Sequence, residues 1–281
     1  MDLVLGAVSN CWGALLPGSS LEAQCRAAVE RGFGYVELRQ RALGACEEKV
    51  GDDPRPWPLP QRLAELRAAF PELGMNLALE APFLADRLDP DAPYFARCAE
   101  AALALSPERP ILRFVDLTPV KAVLEHDEAI DEIGGSVADL TVRLGRRGVA
   151  VALENSLQPM ASLRAVIEAA SHRLPESVPR PLICWDPVNQ LQVCIRPEDP
   201  MATAAEIPLD ELFMFHFKQC RERKPIGDMG EGDVDWPALL AVMARRGYSG
   251  PALFELPGGP DAWERLDSGT AAVRSWLAQL A

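Results

Sequence analysis

Eight short apolar runs, separated by amphipathic segments, restrict the fold of this 281-residue chain more than any other feature. Each run has the length and composition of a buried β-strand. In chain order the runs are LVLGAV (3–8), YVELR (35–39), MNLALE (75–80), ILRFVDL (111–117), VAVALEN (149–155), LICWD (182–186), FMFHFK (213–218) and PALFEL (251–256). Apolar strands that alternate with helices favour an α/β fold with a parallel sheet.

The segments between the runs show helical periodicity. In segment 128–148, apolar side chains recur at the spacing of an α-helix, at Ile130, Ile133, Val137, Leu140 and Leu144. Comparable amphipathic segments occupy residues 20–32, 60–70, 160–174 and 236–247. Three of these helical segments end in a glycine that follows a basic residue, as helix C-termini often do, at Gly32, Gly148 and Gly247.

This number of strand–helix units predicts a single α/β domain, residues 1–281, of the (β/α)8 or TIM barrel type, which typically takes about 250 residues. An open, doubly wound sheet is the alternative. Such a sheet normally carries a glycine-rich phosphate turn after its first strand, and GAVSNCWG (6–13) has no such motif. The charged, proline-rich segment 47–61 is interpreted as a loop after the second strand, with an active-site lid as the alternative.

The composition restricts the partners and the compartment. The formal net charge is −13, and an acidic surface repels the phosphates of nucleic acids, so none is expected as a partner. No apolar run approaches the roughly 18 residues of a membrane span, and the N-terminus lacks a basic, signal-like region. The seven cysteines include no CxxC pair, which is typical of reduced thiols. We therefore expect a cytoplasmic protein that does not bind membranes.

Polar residues at the ends of the last four predicted strands indicate a functional site. Glu154, Asp186, His216 and Glu255 follow one another at separations of 32, 30 and 39 residues, and one strand–helix unit of a barrel averages about 31. Alone, each has an ordinary explanation, such as a turn carboxylate or a core histidine. Their common spacing and position predict that the four side chains converge at the C-terminal mouth of the barrel, where barrel enzymes place their active sites.

Three carboxylates and one imidazole are the ligands of a hard divalent metal ion. Such a set favours Mn²⁺ or Mg²⁺ over metals that prefer thiolates. Zn²⁺ or Co²⁺ is the alternative, because imidazole and carboxylate ligands also bind zinc. The sequence therefore predicts a divalent metal cofactor held by Glu154, Asp186, His216 and Glu255.

Other polar residues are predicted to surround this centre as substrate contacts. Lys218 shares strand parity with His216 and faces the mouth, where it holds a substrate oxygen or pairs with a carboxylate. For Glu37 and Arg113 a buried ion pair is favoured over catalysis, and Glu37 is also a candidate substrate contact. Asn189 is predicted to contact the substrate or a metal-bound water.

Three further residues lie on predicted loops. Trp12 follows the first strand and either walls the pocket or packs in the core. Arg221 lies on a glycine-rich loop, where it meets an anionic group or remains in solvent. Asn155 has the opposite parity to Glu154, so it is predicted to tether a loop.

Several motifs together resemble the xylose isomerase-like TIM barrels, the sugar phosphate isomerase/epimerase group. VALENS (151–156) is similar to the Glu-Asn motif of the fifth strand in that group, CWDPVN (184–189) to an Asp-x-x-His or Asp-x-x-Asn motif, and FHFKQ (215–219) to His-x-Lys-Asp. GFGYVELR (32–39) resembles the second strand. The most specific likeness is PIGDMGEGDVDWPALLAVMARRGYSGPALFEL (225–256), and the resemblance spans nearly the whole chain.

The resemblance implies that the protein is a metal-dependent isomerase or epimerase of a small sugar or polyhydroxylated carbonyl compound. In that group the four matching residues bind the metal, and the residues matching Glu154 and Glu255 remove and return a proton through a metal-stabilised enediolate. Departures leave the substrate open: the group usually carries His where this chain has Asn189, Glu at Met160, Arg at Glu222 and Asp at Gln219.

Three other functions are compatible with a barrel of this kind. A dehydratase would use the same metal and a base to expel a hydroxyl group, and a non-catalytic barrel would keep the metal for binding alone. The endonuclease branch is disfavoured, because it needs several additional histidines and this chain has only His126, His172 and His216. The expected partners are a small-molecule substrate and further copies of the chain in a homodimer or homotetramer.

Overall fold

A computed structural model describes residues 2–9, 11, 20–84, 88–117, 127–156, 158–192, 197–259 and 261–280. The strands are β1 (Asp2–Val8), β2 (Tyr35–Arg39), β3 (Glu47–Glu48), β4 (Trp57–Pro58), β5 (Gly74–Glu80), β6 (Ile111–Val115), β7 (Ala150–Glu154), β8 (Leu182–Trp185), β9 (Leu212–Phe217), β10 (Gln219–Arg221), β11 (Lys224–Ile226) and β12 (Ser249–Phe254). The helices are α1 (Leu21–Glu30), α2 (Pro60–Ala69), α3 (Pro93–Leu105), α4 (Asp127–Gly145), α5 (Met160–Ser171), α6 (Pro187–Gln192), α7 (Pro200–Glu206), α8 (Trp236–Arg246) and α9 (Ala262–Ala278).

Eight parallel strands close into a barrel in the order β1-β12-β9-β8-β7-β6-β5-β2. These are the eight strands predicted from the sequence, with ends that differ by at most two residues. The prediction of an α/β (β/α)8 barrel is therefore confirmed. The fifth to eighth barrel strands, which carry the predicted ligands, are β7, β8, β9 and β12.

The inward-facing residues form an apolar layer below the mouth. The residues two positions before the four predicted ligands are Ala152, Cys184, Met214 and Leu253, and all four belong to one small buried cluster. Because strand side chains alternate between faces, the ligands share the inward direction of this cluster. The opposite strand faces pack against the helices in a second, larger core.

Two long helices lie outside the segments in which periodicity was recognised. Helix α3 buries seven residues over a wide part of its surface, namely Tyr94, Phe95, Cys98, Ala99, Ala101, Ala102 and Leu105, so no narrow apolar stripe marks it in the sequence. Helix α9 carries Ser268, Gly269 and Thr270 in its middle, which are weak helix formers. Among the described helices, none combines the length and apolar character needed to cross a bilayer.

The glycines predicted to end helices adopt left-handed backbone conformations. Gly32, Gly148 and Gly247 have φ angles of 70°, 77° and 82°, a region that costs side chains other than glycine free energy. Gly247 follows α8 directly, and its N–H reaches the carbonyl oxygens of Ala244 and Met243. These turns let each following strand begin at once, as the sequence predicted.

Most of the segment 47–61 is a loop closed by two short strands, and its last two residues begin α2. Strands β3 and β4 pair antiparallel, with Glu48 opposite Trp57. The Trp57 ring packs edge-on against Tyr94 of α3 at 5.8 Å between ring centroids. Gln40 Nε2 donates a hydrogen bond to Pro56 O at 2.9 Å. The loop is thus anchored both to the end of β2 and to a neighbouring helix.

Replacing Glu222 by asparagine is expected to stabilise the protein by about 1 kcal/mol. Glu222 and Arg223 form the two-residue turn between β10 and β11, with φ angles of 51° and 66°. Turns of this kind favour asparagine and glycine, because other side chains are strained at positive φ. Urea denaturation measures the effect. Glu222→Ala is the matched control, because alanine, unlike asparagine, is strained at positive φ. Equal stability of the two variants would contradict the argument.

Candidate metal centre and active site

The structure brings the four predicted metal ligands together at the barrel mouth. Glu154 is the last residue of β7, Asp186 follows β8, His216 lies in β9 and Glu255 follows β12. Their exposed fractions are 2%, 0%, 0% and 8%. One ligand atom from each lies within 4.8 Å of the corresponding atoms of the other three. The set is therefore compact enough to share one ion.

Glu154 and Asp186 each have one carboxylate oxygen held by the protein scaffold. Glu154 Oε2 accepts from Arg113 Nη1. Asp186 Oδ1 accepts from the backbone N–H groups of Val188 and Asn189 at 2.8 and 3.0 Å. Asp186 is thus an N-cap for α6, whose first residue is a proline, a common helix start. The other two oxygens, Glu154 Oε1 and Asp186 Oδ2, belong to the set that we call the inner oxygens.

Glu255 completes the inner oxygens with its Oε2 atom. Its other oxygen, Oε1, accepts from Arg39 Nη1 at 3.1 Å, and Arg39 Nη2 also reaches Glu80 Oε1 at 3.1 Å. Glu255 Oε2 lies 3.4 Å from His216 Nδ1 and 3.4 Å from Lys218 Nζ. Each of the two glutamates is therefore oriented by one arginine, so that a single oxygen faces the centre.

His216 presents a buried ring nitrogen to the carboxylates. Its Nε2 lies 3.4 Å from Cys184 Sγ and 3.8 Å from Glu37 Oε1. Its Nδ1 makes no well-formed hydrogen bond within the described part of the chain and lies 3.9 Å from Glu154 Oε1. With a proton on Nε2, the Nδ1 lone pair faces negative oxygens, which is favourable only with a cation between them. This donor set fits a divalent metal ion.

The pKa shifts of His216 and Glu255 also indicate that the site favours positive charge. Burial opposes the imidazolium form of His216, but Cys184 and Glu255 favour it and raise its pKa well above the ordinary value. Burial likewise opposes ionisation of Glu255, yet Lys218, His216 and Arg39 hold its pKa well below the usual range. A metal ion at the same place would replace the proton on His216.

The two glutamates differ in their proton affinity. Burial raises the pKa of Glu154, and the nearby Glu255 and Asp186 carboxylates add to this effect, while Arg113 opposes it. In the metal-free site, the two glutamates therefore lie in different electrostatic environments.

Arg113 lies in the floor of the site and bridges two strands. It pairs with Glu37 of β2 and with Glu154 of β7, and the side chains of Arg113 and Glu37 are wholly buried. Asn76 Nδ2 donates to Glu37 Oε2 at 2.9 Å. Burial raises the pKa of Glu37, but Arg113 outweighs it and the net shift is downward. The favoured ion pair between Glu37 and Arg113 is present, and Glu37 Oε1 lies 3.8 Å from His216 Nε2.

The remaining predicted contacts divide into two groups. Asn189 and Lys218 line the centre: Asn189 Nδ2 donates to Glu154 Oε1 at 3.2 Å, and Lys218 Nζ reaches Asp186 Oδ2 at 3.2 Å. Arg221, which was predicted on a loop, is instead the last residue of β10; it is exposed, and its Nη2 atom lies 3.0 Å from Glu231 Oε2. Trp12 lies outside the described residues. The structure thus brings Asn189 and Lys218 to the four ligands and leaves Arg221 in solvent.

Asn155 ties two ligand-bearing strands together. Its Nδ2 donates to Asp186 O at 2.9 Å, and its Oδ1 accepts from Asp186 N at 2.7 Å. This reciprocal pair fixes the end of β7 against the end of β8. The sequence predicted a tether from the opposite parity of Asn155 and Glu154.

Two contacts of the site were not predicted from the sequence. Arg39 lies two residues after Glu37 on the same strand, so both side chains point into the barrel. This parity could have indicated the contact of Arg39 with Glu255. The contact between Arg113 and Glu154 depends on strand register, which pairs Arg113 with Ala152. No local pattern in the sequence reveals that register.

Comparison with known proteins identifies the family. A family model described as xylose isomerase-like TIM barrel matches residues 25–280. No curated protein matches the sequence. Among solved structures, L-ribulose 3-epimerase shares 15% identity and a TM-score of 0.62, with coverage of 100% of this chain and 96% of that chain.

Two other solved structures share the fold at similar identity. IolI protein with a bound zinc atom has 15% identity and a TM-score of 0.67, with coverage of 99% of each chain. The 3-keto-D-glucoside 4-epimerase YcjR from E. coli, in its apo form, has 17% identity and a TM-score of 0.65, with coverage of 98% of this chain and 100% of that chain. The family match extends over most of the sequence, and the structures repeat the same barrel. The chain belongs to the xylose isomerase-like TIM barrel family.

Proposed function

We propose that this protein is a divalent-metal-dependent isomerase or epimerase acting on a small sugar or a related polyhydroxylated carbonyl compound. One observation carries the proposal. The inner oxygens of Glu154 and Glu255 lie 3.9 and 3.4 Å from His216 Nδ1, and they come from β7 and β12, which flank β8 and β9 in the barrel. The substrate can therefore meet one carboxylate from each side of the centre.

The two glutamates are the proposed acid and base. A metal ion held by Glu154, Asp186, His216 and Glu255 would polarise a substrate carbonyl and stabilise negative charge on its oxygen. One glutamate removes a proton from the carbon next to that carbonyl, and the other returns one. Arg113 and Arg39 restrict each carboxylate to one orientation, so that little reorganisation is needed when the proton moves.

Lys218 and Asn189 are the proposed contacts to substrate oxygens. Lys218 Nζ lies 3.2 Å from Asn189 Oδ1, so the two side chains form a polar pair beside the ligands. Ammonium and amide groups both donate hydrogen bonds to hydroxyl and carbonyl oxygens. The presence of L-ribulose 3-epimerase and 3-keto-D-glucoside 4-epimerase among the similar folds supports a sugar-like substrate.

Mn²⁺ or Mg²⁺ is the proposed metal, because three of the four ligands are carboxylates. Zn²⁺ and Co²⁺ are the alternatives, and IolI protein was solved with a zinc atom. Addition of Mn²⁺ to chelator-treated protein is expected to stabilise it by about 2.7 kcal/mol at a free concentration of 100 times Kd. Chemical denaturation measures this gain, and Asp186→Asn should reduce it. The same stability with and without Mn²⁺ would contradict a metal centre.

Exchange of a substrate C–H with solvent deuterium tests the reaction. The Mn²⁺-loaded protein is incubated in D₂O with a panel of free and phosphorylated ketoses, and products are analysed by NMR and mass spectrometry. A proton-transfer isomerase or epimerase incorporates deuterium next to the carbonyl, and its product in H₂O has the mass of the substrate. Turnover without deuterium uptake would rule out the proposed chemistry. A product lighter by one water would instead identify a dehydratase.

A further inference from the structure

Lys218 places a positive charge where a metal ion would bind. Its Nζ lies 3.2 Å from Asp186 Oδ2 and 3.4 Å from Glu255 Oε2. Both are inner oxygens, since the partner oxygen of each carboxylate is held by backbone N–H groups or by Arg39. The ammonium group therefore contacts two of the three oxygens that the metal needs.

The two arginines of the site differ from Lys218 in this respect. Arg113 binds Glu154 through Oε2, and Arg39 binds Glu255 through Oε1. Both of these oxygens lie outside the inner set, so the arginines can keep their contacts when a metal ion is present. Of these three cations, Lys218 alone shares its carboxylate oxygens with the metal position.

The side chain of Lys218 can move while its backbone stays in place. Trp236 Nε1 donates to Lys218 O at 2.9 Å, which anchors the main chain just after β9. The lysine side chain is 15% exposed and lies at the open end of the barrel. Its third contact, Asn189 Oδ1 at 3.2 Å, is a neutral group that does not compete for the metal. A lysine stem has several rotatable bonds, so the ammonium can change position without disturbing the barrel.

We propose that Lys218 is an exchangeable counter-ion of the metal centre, which neutralises Asp186 and Glu255 in the metal-free protein and is displaced by the metal. Two cations that share the same carboxylate oxygens repel each other strongly at these distances. After displacement, the ammonium stays near Asn189 and becomes available to a substrate oxygen. The inference rests on the metal centre of the proposed function, but it makes no assumption about the reaction.

The Lys218→Met variant distinguishes this role from a structural one. It should raise the affinity for Mn²⁺ and lower the thermal midpoint of the metal-free protein. We expect chelator-treated Lys218→Met protein to bind Mn²⁺ at least tenfold more tightly than the wild type in calorimetric titration. We also expect a lower thermal midpoint for the metal-free variant, because its carboxylates repel each other without a counter-ion. Lys224→Met, which removes the same charge from an exposed position on β11, should change neither quantity.

The outcomes distinguish this inference from the proposed function. Mn²⁺ binding by the wild type that Lys218→Met leaves unchanged or weakens would overturn the counter-ion role alone. Absence of Mn²⁺ binding by both proteins would overturn the metal-dependent function and the inference with it. Tighter binding together with a less stable metal-free protein supports the inference whether or not a substrate is found.

Amine labelling of the wild-type protein provides a second test that requires no variant. Lys218 is modified by reductive dimethylation with and without Mn²⁺, and mass spectrometry compares its extent of labelling with that of Lys224. Displacement by the metal predicts at least threefold faster labelling of Lys218 and a constant rate at Lys224. A rate at Lys218 that is unchanged or lower with Mn²⁺ would contradict displacement.

Discussion

An Arg113→Met variant is expected to lose about 3–5 kcal/mol of unfolding free energy. Arg113 and Glu37 are wholly buried, and Arg113 also pairs with Glu154, whose side chain is 3% exposed. Methionine fills much of the same volume, so the loss arises mainly from two carboxylates that remain buried without their cation. Such a loss is a large part of the 5–15 kcal/mol that stabilises a typical protein.

Urea denaturation of the metal-free protein measures this loss. Arg143→Met is the matched control, because it removes an arginine that pairs with Asp91 at the surface, where the two side chains are 42% and 62% exposed. Surface pairs contribute about 0–1 kcal/mol. Equal stability losses in the two variants would show that the buried pair is dispensable. Arg113→Lys, which keeps the charge but not the two-pronged geometry, should fall between Arg113→Met and the wild type.

Replacing either Glu154 or Glu255 by glutamine is expected to lower kcat/KM by about 10²–10⁴, the usual contribution of a general acid or base. Glutamine keeps an oxygen that could bind the proposed metal ion, but it can neither accept nor return a proton at the pH of the reaction. Deuterium uptake should fall together with product formation, since both depend on the same proton transfer.

The control for the glutamate variants is Glu80→Gln. Glu80 contacts Arg39 at the rim of the mouth, and its side chain is 28% exposed. Glu80 contributes no atom to the set of ligands. The activity of Glu80→Gln should therefore remain within about tenfold of the wild type, a smaller loss than removal of a general base causes. If both Glu154→Gln and Glu255→Gln stayed in that range, the acid and base of the reaction would be other groups.

The sequence predicted the barrel and the gathering of its four proposed ligands because both depend on local patterns. Apolar runs and helical spacing show where strands and helices lie, and parity shows which strand residues share a face. Glu154, Asp186, His216 and Glu255 recur at intervals close to one strand–helix unit. Because each lies at the C-terminal end of a predicted strand, a closed barrel brings all four to the same end.

The ion pairs of the site could be predicted only in part. A pair between Glu37 and Arg113 follows from their inward positions on strands that are close in the barrel. The second contact of Arg113, to Glu154, depends on the register in which Arg113 lies beside Ala152. The contact of Arg39 with Glu255 joins strands from opposite ends of the chain through the closure of β1 on β12. Register and closure are properties of the whole sheet, and no short motif encodes them.

The position of β12 makes the orientation of Glu255 depend on the closure of the barrel. β12 lies between β9 and β1, and Ser249 Oγ donates to Asp2 O across 247 residues of sequence. Pairing of β12 with β9 places Glu255 on the strand next to that of His216, whereas pairing of β1 with both β12 and β2 brings Arg39 to Glu255 Oε1. Contacts of such large sequence separation form slowly. A barrel that had not yet closed would therefore hold the four candidate ligands on neighbouring strands but would lack the arginine that orients Glu255.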